Sequence, residues 1–123
     1  MVIKLLIAAQ DTYYGEHLSK VLANIDDGLY DITSVTRKPN FIETLQRQNF
    51  DVVLFEESMF DSDLDFKKSK LYLLLVDDET DTEFFNKFSF IQKTGKYQRI
   101  SHISRVILDY YSKVAYSKQF TAS

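Results

Sequence analysis

No cysteine and no tryptophan occur in the 123 residues, and there are only one proline and three glycines. Without cysteine there is no disulfide, no thiolate zinc centre and no thiol nucleophile, a composition suited to a reducing compartment. Gly15, Gly28 and Gly95 are too scattered to form a glycine-rich phosphate cradle, which sets aside flavin or dinucleotide binding in the manner of other doubly wound folds. No apolar run is long enough to span a bilayer, and the N-terminal stretch lacks the basic start, apolar segment and small-residue cleavage site of a secretory leader. Positive charge is not in excess either. Fifteen Lys and Arg against eighteen Asp and Glu leave a formal net charge of −3, the wrong sign for holding a nucleic-acid backbone with clustered cations. A cytoplasmic protein with no nucleic-acid partner and no membrane insertion is expected.

What the chain does have is apolar and aromatic mass, with ten Phe and eight Tyr, enough for one core. A single domain over residues 1–116 is expected, with a polar, frayed tail over 117–123. Val2 to Ala9 is nearly all apolar, the pattern of a strand buried on both faces. Asp11 or Thr12 can cap a helix in which Tyr14, Leu18, Val21, Leu22 and Ile25 recur at helical spacing, up to a break at Asp26-Asp27-Gly28. Leu29 to Val35 alternates like an edge strand, and Pro39 fits the first turn of a helix carrying Phe41, Ile42 and Leu45. Asp51 to Phe55 and Leu71 to Val76 read as central strands. A short helix is expected around Thr82 to Lys87, a fifth strand over Phe88 to Gln92, and a last long helix through Ile100, Ile103, Ile107 and Val114. Strands alternating with helices imply a parallel sheet covered on both faces, and right-handed crossovers leave a flavodoxin-like three-layer sandwich, five strands in order 2-1-3-4-5.

In such folds reactive groups collect at the carboxyl ends of the strands, which here are Ala9-Gln10, Glu56, Leu75-Val76 and Lys93. The segment Phe50-Asp51-Val52-Val53-Leu54-Phe55-Glu56-Glu57-Ser58-Met59 resembles the CheY-like receiver domains of bacterial response regulators, and the resemblance extends over nearly the whole chain. It puts Glu56 at the phosphoacceptor. It also implies an acidic pair after strand one that holds Mg²⁺, a Thr or Ser after strand four and a Lys after strand five. Ala9 and Gln10 replace the acids, with Asp11 one position late, and Leu75 or Val76 replaces the hydroxyl. Lys93 alone is kept, followed by Thr94 where proline is usual. Too little remains to hold a hard cation or to neutralise a transferring phosphoryl group, so no cofactor and no phosphotransfer enzyme are expected. Glu56 then has two readings: a permanent carboxylate that pairs with Lys93 and mimics phosphorylation, or a solvated relic acid. The second is preferred because the hydroxyl that would respond to the charge is missing.

Within receiver-like proteins, Glu56 with its degenerate surroundings and Lys93-Thr94-Gly95-Lys96-Tyr97-Gln98 before the last helix resemble the atypical receiver domains at the amino end of the TadZ and CpaE family. These are MinD-like ATPases that place pilus-assembly machinery. The resemblance implies a P-loop ATPase domain beyond residue 123 and a recognition role, as a homodimer or a dock for other components, through the face made by the helix after strand four, strand five and the last helix. Phe84, Phe85, Phe88 and Tyr97 are candidates there, as are Val106, Leu108 and Tyr111. Ordinary core packing is the plainer account of the same residues. A response-regulator receiver with a divergent phosphorylation site at Glu56 is the alternative function.

Other patterns lead nowhere. Asp61, Asp63 and Asp65 match the first ligands of an EF-hand loop, but Phe66 and Tyr72 stand where Gly and the bidentate Glu are needed. Lys93-Thr94-Gly95 has no accompanying Ser-x-x-Lys nucleophile, and His17 and His102 have no partner at helical spacing. The acidic run Asp77, Asp78, Glu79, Asp81 and Glu83 is better placed to favour a helix start than to bind metal.

Overall fold

A computed structural model describes residues 2–25, 28–63, 69 and 71–122. The helix break expected at Asp26-Asp27, and Asp65 and Phe66 of the EF-hand-like stretch, lie outside the described residues. The elements are β1 (Ile3–Ala8), α1 (Thr12–Ile25), β2 (Tyr30–Val35), α2 (Lys38–Arg47), β3 (Val52–Glu56), β4 (Leu71–Val76), α3 (Thr82–Phe85), β5 (Ile91–Gly95) and α4 (Ile100–Ala122), with a 3₁₀ turn over Glu57–Met59. All four strand pairings are parallel, in the order β2-β1-β3-β4-β5. This is the expected flavodoxin-like sheet.

Its two faces bury different sets of side chains because successive residues of a strand point to opposite sides. Ile3, Leu5, Ile7, Val52, Leu54, Leu71, Leu73 and Leu75 pack with Leu18 and Leu22 of α1 and with Ile103 and Ile107 of α4. Leu6, Ala8, Val53, Phe55, Tyr72 and Leu74 pack with Phe41 and Leu45 of α2, Phe85 of α3, and Met59. Both faces are buried, which is why β3 up to Phe55 and β4 read as apolar runs and β1 as one interrupted only by exposed Lys4. Burying each such Leu, Ile or Phe stabilises the fold by roughly 2 kcal/mol.

The local signals act where chemistry predicts. The Asp11 carboxylate accepts from the Tyr14 amide at 3.2 Å and caps α1, and Asp81 accepts from the Phe84 amide at 3.2 Å at the start of α3. Pro39 lies in the first turn of α2, where its missing N–H costs nothing. Gly28 turns the chain toward β2 with φ of 76°, a left-handed conformation that an L side chain resists.

Three expectations are corrected. The fifth strand starts at Ile91, not at Phe88, so it ends at Gly95 instead of Gln92. Phe88 belongs to the turn after α3: its carbonyl accepts from the Ile91 amide at 3.1 Å, and its ring packs on Phe60 at 5.1 Å between centroids. The short helix ends at Phe85, not Lys87. Finally, α4 continues unbroken through residues 117–122, where a frayed tail was expected.

Candidate functional site

Glu56 closes β3, and the parallel register sets it beside Leu75 of β4, which in turn lies beside Thr94 of β5. Two residues on from Leu54, Glu56 points to the face covered by α1 and α4. Lys96 follows β5 directly, and its amide donates to the Val76 carbonyl at 2.8 Å, which fixes the start of the next loop against β4. From that anchor the Lys96 ammonium donates to Glu56 Oε2 at 2.8 Å. The two side chains are 6% and 15% exposed, so this is a buried ion pair and not a surface contact.

Two tyrosines enclose it. The Lys96 ammonium lies 4.9 Å from the ring centroid of Tyr14 and 5.4 Å from that of Tyr97, both within cation–π range. The Tyr14 hydroxyl donates to the Lys96 carbonyl at 2.7 Å, and the two rings meet edge to face at 6.1 Å. One lysine is thus held through its backbone by β4, through its carbonyl by α1 and through its ammonium by β3. Gly95 permits this tight corner, since a Cβ there would come within 2.9 Å of the Gln98 side chain.

The electrostatics follow from the geometry. Burial works to lower the Lys96 pKa, but the hydrogen bond and charge of Glu56 outweigh it and hold the ammonium above its ordinary value. Burial raises the Tyr14 phenol, and the Glu56 carboxylate adds to the rise. Asp77, just past β4, is held below the usual carboxylate range by the Glu79 amide and by the Thr80 hydroxyl, which donates to Asp77 Oδ1 at 3.0 Å. Raised folded-state values for Lys96 and Tyr14 mean that their contribution is intact below the ordinary values of 10.5 and 10.0 and is lost as pH rises through the higher folded-state ones. The melting temperature is expected to fall from about pH 10 upward in excess of the fall in a Lys96→Met, Tyr14→Phe double variant. Parallel curves for the two proteins would remove Lys96 and Tyr14 as the cause.

The residues expected at the strand ends are only partly brought together. Ala9 is buried and Gln10 exposed, Leu75 is buried and Val76 half-buried, and none of the four supplies a carboxylate or hydroxyl. Lys93 does not reach Glu56. It lies on the other face of the sheet, in register with Leu74, and its ammonium donates to Asn86 Oδ1 at 2.7 Å. The shift of β5 by three residues is the reason, and the preference for a solvated Glu56 is overturned with it. Glu56 Oε1 and the hydroxyl of buried Thr94 have no hydrogen-bond partner among the described residues. No group of three His, Asp or Glu side chains among the described residues is arranged to hold a metal ion.

The apolar candidates also divide. Phe85 and Tyr111 are buried in the core, Phe88, Val106 and Leu108 are half-buried against it, and only Phe84 and Tyr97 of the seven are exposed. Phe90, inside the strand expected over Phe88 to Gln92, is exposed and precedes β5. Lys96, Tyr14 and Asp77 were missed as site residues. The signal for Lys96 was available in Gly95, a natural strand terminus, which makes the lysine after it the one at the strand end.

No protein-family model and no curated protein matches the sequence. Solved structures do. A response regulator receiver protein from Burkholderia phymatum superposes with a TM-score of 0.68 at 13% identity, over 89% of this chain and 95% of that one. The chain has the receiver fold. The N-terminal domain of an uncharacterized protein from Wolinella succinogenes matches at TM-score 0.69 and 13% identity, over 96% of this chain and 99% of that one. A protein described as an adenylate cyclase from Rhodopirellula baltica matches at 0.71 and 14% identity, over 100% and 99% of the two chains. At these identities the likeness is one of fold alone, and fold does not fix function.

Proposed function

We propose that this receiver-like chain is a non-catalytic recognition domain in which a permanent ion pair, Glu56 with Lys96, occupies the place of a phosphorylation site. The observation that carries this reading is the pair itself. A carboxylate already bonded to an ammonium at 2.8 Å, with Ala9 and Gln10 in place of acids, offers a poor seat for Mg²⁺ and a poor acceptor for a phosphoryl group. Function then falls to a surface. The candidate face is that of α3, β5 and α4: Phe84 is exposed beside Phe60 and Phe88 on the α3 side, and Tyr97 is exposed against Tyr14 on the α1 and α4 side, where Val106 and Leu108 are half-buried. Self-association or docking of a protein component through this face fits the resemblance to the TadZ and CpaE family, with residues 1–116 as the localisation module of a pilus-assembly ATPase and residues 117–123 leading toward its P-loop domain. No helix among the described residues is long and apolar enough to cross a membrane. Light scattering is expected to show a concentration-dependent dimer that a Phe84→Ser, Tyr97→Ser variant loses while its melting temperature stays close to that of the parent. A monomer at every concentration, with no partner bound through this face, contradicts the reading.

One observation favours the alternative of a receiver with a divergent site at Glu56. Its Oε1 is buried and has no partner among the described residues, so one oxygen is left for a ligand. That alternative requires Mg²⁺ to bind beside it.

A further inference from the structure

The strand order reverses between β1 and β3, and an open parallel sheet leaves a crevice beyond the carboxyl ends of its strands at such a point. A cavity of about 290 Å³ lies there, bordered by Gln10 after β1, Thr36, Arg37 and Lys38 after β2, and Ser58 and Met59 after β3. Neither Glu56 nor Lys96 lines it, so it is separate from the ion pair.

Pro39 and Met59 give the lining an apolar part, and its polar part is made of donors and cations. Arg37 and Lys38 are exposed cations with no ion pair to any described residue, while Gln10, Thr36 and Ser58 add an amide and two hydroxyls. No carboxylate lines the cavity, and the two nearest in sequence are committed elsewhere. Asp11 accepts from the Tyr14 amide at 3.2 Å, and Glu57 Oε2 accepts from the Asp81 amide at 3.2 Å, across in the loop after β4. Three loops thus bring donors and positive charge to one concave place in a chain whose net charge is negative. No side chain caps the start of α2, so its first amides add to the same polarity.

We propose that this cavity is an anion site that takes the phosphate group of a small phosphate monoester. A dianion matches two unpaired cations, and its several oxygens match the hydroxyl and amide donors better than a carboxylate's two. The volume suits a phosphate with a modest substituent.

The test is an NMR titration of the chain with inorganic phosphate and with phenyl phosphate, at ionic strength held constant with chloride. Saturable amide shifts are expected at Gln10, Arg37, Lys38 and Ser58, with Glu56 and Lys96 unmoved and phenyl phosphate binding at least as tightly as phosphate. An Arg37→Gln, Lys38→Gln variant, altered only at exposed positions, is expected to bind roughly tenfold or more weakly. Shifts that do not saturate, or that the variant reproduces, mean an adventitious ion only and overturn the proposal. Binding of phosphate with exclusion of phenyl phosphate overturns the monoester as its ligand.

Discussion

Lys96→Met is expected to lower the unfolding free energy by about 3 kcal/mol, because it strands the Glu56 carboxylate in a pocket with little water. The value sits at the low end for a broken buried pair because Glu56 keeps a 15% opening to solvent. Two comparisons give the number its meaning. Lys93→Met removes only the bond to Asn86, at an exposed site, and is expected to change stability by less than about 0.5 kcal/mol. Glu56→Met combined with Lys96→Met removes both charges together and is expected to recover most of the loss, since exchanging a buried ion pair for apolar groups is often neutral. Urea denaturation of the three variants reads all of this. A Lys93 variant as damaging as the Lys96 one contradicts the assignment of Lys96 as the partner of Glu56.

Phe85→Ala is expected to cost about 3 to 4 kcal/mol, the usual toll of deleting a buried aromatic ring. Phe85 is 1% exposed, and its ring sits 5.0 Å from Phe60, 5.1 Å from Phe84 and 6.5 Å from Phe55, so its loss opens a cavity between α3 and the sheet. Phe84→Ala, one residue away and 39% exposed, is expected to cost less than about 1 kcal/mol, with any larger effect on association. The two neighbours therefore separate folding from recognition. Equal destabilisation in denaturant melts would mean that Phe84 and Phe85 do not divide between surface and core as described.

The central sheet was legible because its physics is one-dimensional. A strand buried on both faces must be apolar throughout, and Leu71–Val76 appears in the structure with the bounds its hydrophobicity predicts. The last strand was not legible in the same way. It lies at the edge, its five residues include Gln92, Lys93 and Thr94, and the more strand-like pattern of Phe88-Ser89-Phe90 lay just before it. Those phenylalanines answer to a tertiary demand, with Phe88 filling the space beside Phe60 and Phe85. A slip of three residues was enough to move the lysine of the site from Lys96 to Lys93, and the solvated reading of Glu56, preferred because no hydroxyl follows strand four, had no sign of the buried partner. The tyrosine contacts were beyond reach for a different reason: Tyr14 and Lys96 are 82 residues apart, and nothing in helical periodicity distinguishes a tyrosine that packs from one that hydrogen-bonds.

The most direct measurement of the account is an NMR titration with Mg²⁺ in the presence of a small phosphodonor, followed at the amides of Ala9, Gln10, Glu56, Asp77 and Lys96. A Glu56 carboxylate already held by the Lys96 ammonium predicts no saturable shift at these positions and no gain of a phosphoryl group in the intact mass. A saturable Mg²⁺ response centred on Glu56, or a phosphorylated product, would contradict it.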